Sequence, residues 1–144
     1  MTLLTPLQVL VALALWALVL VGVVALVRVG KVLSGQRKPN GFPANEPGSE
    51  LVHRAPRAYA NITENLPIIA AIILSGILVG VRSENFVLLA NVLLAARVVQ
   101  SLVHLISVSN FFVNLRFLAY LVQVICLAIM GITVFQAIGQ AAGG

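Results

Sequence analysis

The sequence predicts an all-α membrane protein, a four-transmembrane-helix up-down bundle, on three observations. Hydrophobic residues make up 60% of its 144 residues and charged ones only 9%, whereas a soluble domain needs a charged surface. The apolar residues come in long blocks rather than in a one-sided stripe, so water is not the intended solvent. Four blocks reach the roughly 20 residues that a helix needs to cross a bilayer core. The length leaves room for one domain, residues 1–144.

The first span is expected at about Leu3 to Val29, with Arg28 snorkelling at its end. It lacks a basic n-region and is too long for a signal-peptide core, so it reads as a retained helix. The second runs about Arg57 to Val81 and is polar only in its first turns, starting near Pro56, a residue type favoured there. The third runs about Asn85 to Ser107 and the fourth about Asn114 to Ile138.

One long polar connection, residues 30–56, joins the first two spans. RSEN joins the second to the third, and a stretch close to SVSNFFV joins the third to the fourth. Short links mean antiparallel neighbours. The 1–2 connection holds or adjoins five of the nine basic residues: Lys31, Arg37, Lys38, Arg54 and Arg57. The positive-inside rule therefore puts it in the cytoplasm, with both termini outside, and a bacterial chain would lie in the inner membrane.

The same bias accounts for the net charge of +5, so nucleic acid, which requires a basic soluble face, is not an expected partner. The single cysteine, Cys126, lies in an apolar run and reads as a packing residue. Neither His53 nor His104 is grouped with Cys or carboxylates at metal spacing, so no metal site is expected. Gly76 and Gly80 form a GxxxG, which permits close helix contact.

Charged and polar residues inside a span are costly and usually face a bundle interior. At 100° per residue, Arg57, Asn61 and Glu64 fall on one arc of the second helix, with Arg54 beside it. Arg97, Gln100, Ser101 and His104 share a face of the third. Arg116, Tyr120 and Gln123 share one on the fourth. All three stripes lie at the same end. One reading is structural: Arg57 and Glu64 satisfy each other, or Arg97 pairs with Glu64. The other is an anion-binding pocket, because Arg54, Arg57, Arg97 and Arg116 outnumber the one carboxylate, and guanidinium groups grip carboxylates in a fork.

The segment Arg54-Ala-Pro-Arg57-Ala-Tyr-Ala-Asn61-Ile-Thr-Glu64-Asn-Leu-Pro67 closely resembles the signature of the MAPEG family, membrane-associated proteins in eicosanoid and glutathione metabolism. That signature reads R-x-x-R-A-x-x-N-x-x-E-x-x-P, and the match is complete. Length, four spans and a basic 1–2 loop extend the resemblance over nearly the whole chain, which resembles a bacterial-type member. The resemblance implies a homotrimer with glutathione as co-substrate, bound between subunits by Arg57, Asn61 and Glu64. It adds Arg54 from the motif, Arg37 ahead of the Phe42–Asn45 stretch, and Arg97, Gln100 and His104 on the third helix.

Arg116 and Tyr120 resemble the family's R-x-x-x-Y, whose arginine stabilises the thiolate, and are the implied catalytic pair. Gln100 and His104 stand where the prostaglandin synthase carries His and Tyr, and Phe117 replaces a serine. The implied activity is therefore a glutathione transferase or peroxidase with a role in detoxification. It would act on apolar electrophiles or lipid hydroperoxides arriving from the bilayer. The alternative is a non-catalytic lipid-binding scaffold of the same fold.

Overall fold

The computed structural model describes residues 3–43, 48–107 and 109–142, and every regular element among them is helical. The order is α1 (Pro6–Leu33), α2 (Leu51–Leu78), α3 (Glu84–Ile106) and α4 (Asn110–Ala142). All four are long and apolar enough to cross a membrane. α1 packs on α2 and α3, and α4 packs on α3 and α2. Among the described residues, α1 and α4 do not meet. The helices thus stand at the corners of a square, with α1 and α4 on one diagonal and α2 touching α3 across the other.

Local chemistry sets the helix ends. Thr5 caps α1 in a capping box with Gln8, and Pro6 follows at the first turn, where its missing N–H costs nothing. Ser83 caps α3 through the Phe86 amide. The short α2–α3 turn passes through Gly80 at φ +74°, a left-handed conformation suited to glycine.

Two helices begin earlier than the sequence suggests. α2 starts at Leu51, six residues ahead of Arg57, which puts Pro56 in its second turn. Burial accounts for the added turns, since Val52 and Ala55 are 5% and 1% exposed. α4 starts at Asn110, ahead of Asn114, which takes Phe111 and Phe112 into the helix with their rings edge to face.

The core runs from Val9, Leu13, Ala17 and Leu20 on α1, past Ile62, Ile69 and Ile73 on α2, to Phe86, Ala90 and Leu93 on α3. Cys126, Met130 and Val134 complete it from α4. Gly76 lets α3 approach α2: a Cβ there would lie 2.7 Å from Phe86 Cζ and 3.1 Å from Val134 Cγ2. Nearby, Asn91 donates to the Leu4 carbonyl at 2.8 Å and accepts from the Leu4 amide at 3.1 Å, tying the stretch ahead of α1 to α3. Large apolar side chains such as Leu18, Leu26, Leu118 and Phe135 are more than half exposed, as lipid contact requires.

Candidate functional site

Antiparallel packing brings the end of α3 and the starts of α2 and α4 to one end of the bundle. There a cleft of about 530 Å³ opens between these three helices. Asn61, Glu64 and Asn65 line it from α2, Gln100 and His104 from α3, and Val113, Arg116, Phe117 and Tyr120 from α4. Asn61, Glu64 and Asn65, at helical spacing on α2, form one wall, and parts of the stripes on α3 and α4 face it.

Behind the cleft lies a buried polar network centred on Arg97, which is 1% exposed. Its Nη1 donates to Asn61 Oδ1 at 3.0 Å, to the Asn61 carbonyl at 3.3 Å and to Gln100 Oε1 at 3.2 Å. Gln123 Nε2 also donates to Gln100 Oε1, at 3.1 Å. Gln100 Nε2 reaches the Arg116 carbonyl at 3.5 Å, and the Ser101 hydroxyl donates to the Arg97 carbonyl. Arg97 therefore does not pair with Glu64. Neutral amide oxygens solvate it, each supplying a hydrogen bond without a second buried charge.

Glu64 and Arg116 are placed differently. Glu64 is exposed along the cleft wall, and among the described residues its carboxylate has no hydrogen-bond or ion-pair partner. The Arg116 guanidinium likewise has none among the described residues. A carboxylate on α2 and a guanidinium on α4 thus line one concavity, each with its bonding capacity unspent among the described residues. Tyr120, 41% exposed, adds a hydroxyl one turn beyond Arg116.

Besides Arg97 behind it, three more predicted residues do not line this cleft. Arg54 Nη1 donates to the Ile106 carbonyl at 2.7 Å, so it caps the C-terminus of α3, where cations are favoured. Arg57 is exposed, one turn before Asn61 on the same arc of α2. Arg37 follows α1, donates to the Gly41 carbonyl at 3.0 Å and lies over the Phe42 ring. Asn45, at the end of the stretch that Arg37 precedes, lies outside the described residues. The structure adds Asn65, whose amide donates to the Asn61 carbonyl. Its position four residues beyond Asn61 is the signal that could have found it. Among the described residues, no cluster of His, Cys, Asp or Glu could hold a metal.

Four spanning helices, three of them around a polar-lined cleft, define an integral, multi-pass membrane protein. The family model of the MAPEG family matches residues 6–136, and the chain belongs to that family. Membership supports a glutathione-related, transferase- or peroxidase-like function at the level of the family. No curated protein and no solved structure matches the chain.

Proposed function

We propose that the cleft binds glutathione and activates its thiol for attack on an apolar electrophile or a lipid hydroperoxide. The observation that carries this reading is the pairing of a carboxylate, Glu64, with a guanidinium, Arg116, in one cleft, neither with a partner among the described residues. Such a site complements a ligand bearing both an amine and an anion. Glu64 takes the tripeptide's amine, and Asn61 with Arg57 takes a carboxylate. Arg116 faces the sulfur. A free thiol has a pKa near about 8.5, and an adjacent cation lowers it, so more thiolate is present at neutral pH. Tyr120 donates a hydrogen bond to the same sulfur. The thiolate then displaces a leaving group to form a thioether, or attacks the terminal peroxide oxygen, breaking the O–O bond to release an alcohol and leaving a sulfenic acid that a second glutathione converts to the disulfide and water.

In this reading Gln100 and Arg97 hold the cleft's shape, and His104 forms part of its wall. Arg54 acts by fixing α2 against α3. The working unit is a homotrimer, in which Arg37, on the α1 side of its own subunit, serves the cleft of a neighbour. The second substrate arrives laterally, past exposed Phe117 and Leu118. The 1–2 connection is cytoplasmic, as the basic residues there favour. Labelling a cysteine at Gln36 only from the outer face would reverse that orientation.

The decisive experiment offers glutathione with a panel of electrophiles and hydroperoxides to purified protein in mild detergent. Saturable glutathione binding with turnover of at least one partner is expected. Binding of lipid without any binding of glutathione would instead favour the non-catalytic scaffold.

A further inference from the structure

One titratable group on the cleft wall has no task in the chemistry so far. His104 lies in the last turn of α3 and lines the cleft with Glu64 from α2 and with Arg116 and Tyr120 from α4. It is half-buried, and its ring makes no hydrogen bond among the described residues, so both ring nitrogens are available. The charges that act on it come from the two helices facing it, Arg116 on α4 and Arg57 on α2. α1 contributes no residue to the cleft.

A cation stabilises a thiolate, but the proton that the thiol loses must also go somewhere. The cleft offers few acceptors. A guanidinium does not give up its proton in a protein, and a phenol at neutral pH still holds its own. A carboxylate is a weak base at that pH, and Glu64 is occupied by the tripeptide's amine. The amides of Asn61, Asn65 and Gln100 do not titrate. Imidazole is the side chain whose ordinary charge change falls close to neutrality. Transfer to it also leaves the charge of the site unchanged, since the cation formed on the ring shares the cleft with the anion formed on sulfur.

We propose that His104 is the proton carrier of this site, taking the proton of the glutathione thiol and returning it to the alkoxide that leaves a lipid hydroperoxide. The inference rests on the glutathione reading of the cleft and deepens it. As the S–H bond breaks, an N–H bond forms on the ring. The thiolate attacks the terminal peroxide oxygen and the O–O bond breaks, so sulfur is oxidised to the sulfenic acid and the peroxide is reduced. The alkoxide takes the ring proton and leaves as an alcohol, which restores the neutral imidazole. A second glutathione then converts the sulfenic acid to the disulfide and water.

Counting protons tests this. Purified protein in detergent and weak buffer, slightly above neutral pH, is mixed with glutathione or with S-methylglutathione, which lacks the thiol proton. A pH indicator reads proton release while thiolate absorbance is followed. In the parent, thiolate should form with no more proton release than S-methylglutathione causes, because the proton stays on His104. In His104→Gln, each thiolate formed should send about one further proton into the buffer. With a lipid hydroperoxide as partner, turnover in that variant should fall about a hundredfold, within the range of general acid–base catalysis, and added imidazole should restore part of it. Release of a full proton per thiolate by the parent would overturn the proposal, and that readout holds even if the variant does not fold. Equal turnover in parent and variant would overturn the return of the proton to the alkoxide. A parent that binds glutathione without forming thiolate would end the thiol-activation reading, and one that binds no glutathione would end the reading of the cleft itself; the proposal falls with either.

Discussion

The two ends of the bundle are held together by different physics. At one end Gly76, Phe86 and Val134 interlock in close apolar contact, and Asn91 fastens the stretch ahead of α1 with both of its amide atoms. Contacts there are short and apolar. At the other end the helices are spaced by Arg97, Asn61, Gln100 and Gln123, whose hydrogen bonds hold the framework and leave a cleft in front of it. Close packing lets helices meet without a gap. Polar spacing holds them apart at a defined distance, and function requires such a gap.

The largest expected effect would break the polar end. Arg97→Met should cost about 2–4 kcal/mol, since it removes the donor shared by Asn61 and Gln100 inside an otherwise apolar bundle. Unfolding in mixed micelles measures this, and a variant more stable than the parent would show that packing alone holds that end. The matching change at the apolar end is Gly76→Val, where the new side chain collides with Phe86. Overpacking of this kind costs about 1–3 kcal/mol, and the cleft, at the far end, should keep its glutathione affinity. Lost affinity would mean that the two ends are mechanically coupled.

A third variant leaves the framework intact and alters only what faces the cleft. Arg116→Ala should raise the pKa of the bound thiol by about one unit, equivalent to roughly 1.4 kcal/mol, read as thiolate absorbance appearing at higher pH. Conjugation at neutral pH should fall and recover partly as the pH rises, with Arg116→Lys intermediate. Identical titrations in parent and variant would exclude Arg116 from the chemistry.

The smallest effect belongs to the connection outside the spans, where Lys31 Nζ lies 3.0 Å from Glu50 Oε2. The hydrogen bond and charge of Lys31 hold the Glu50 carboxyl below its ordinary range. A depressed carboxylate pKa contributes stability above its unfolded value and loses it as pH falls through the folded one. Acidification from neutral should therefore raise the protease sensitivity of the connection in the parent more than in Glu50→Gln. Parallel profiles for the two would show that the exposed pair contributes nothing, as is common for such pairs.

Much of this contrast was legible in the sequence because it depends on periodicity. Asn61 and Glu64 share an arc at helical spacing, as do Gln100 with His104 and Arg116 with Tyr120, so the cleft's walls follow from counting, although Arg57 on the same arc lies outside them. The start of α2 was not legible, because Pro56 reads as a first-turn residue and only burial of Val52 and Ala55 carries the helix further back. The task of Arg54 was hidden for a related reason. Its partner is a backbone carbonyl 52 positions away, and a carbonyl has no signature in a sequence. Arg97 and Arg116 are indistinguishable as letters; burial behind amide oxygens separates the one from the other.

The tie between Asn91 and Leu4 also bears on the order in which the protein is made. Its two halves are 87 positions apart, so during synthesis the first helix emerges long before the side chain that will secure its leading stretch. Until the third helix has entered the bilayer, that stretch is held only by the cap between Thr5 and Gln8. The Asn91 amide nitrogen already donates to the Val87 carbonyl within α3, and its bonds to Leu4 are added in the step that fastens the stretch ahead of α1. Assembly of this end therefore concludes with a latch rather than beginning with one, and an Asn91→Leu chain would insert all four helices and seat the first on its core residues, yet leave the stretch around Leu4 unfastened.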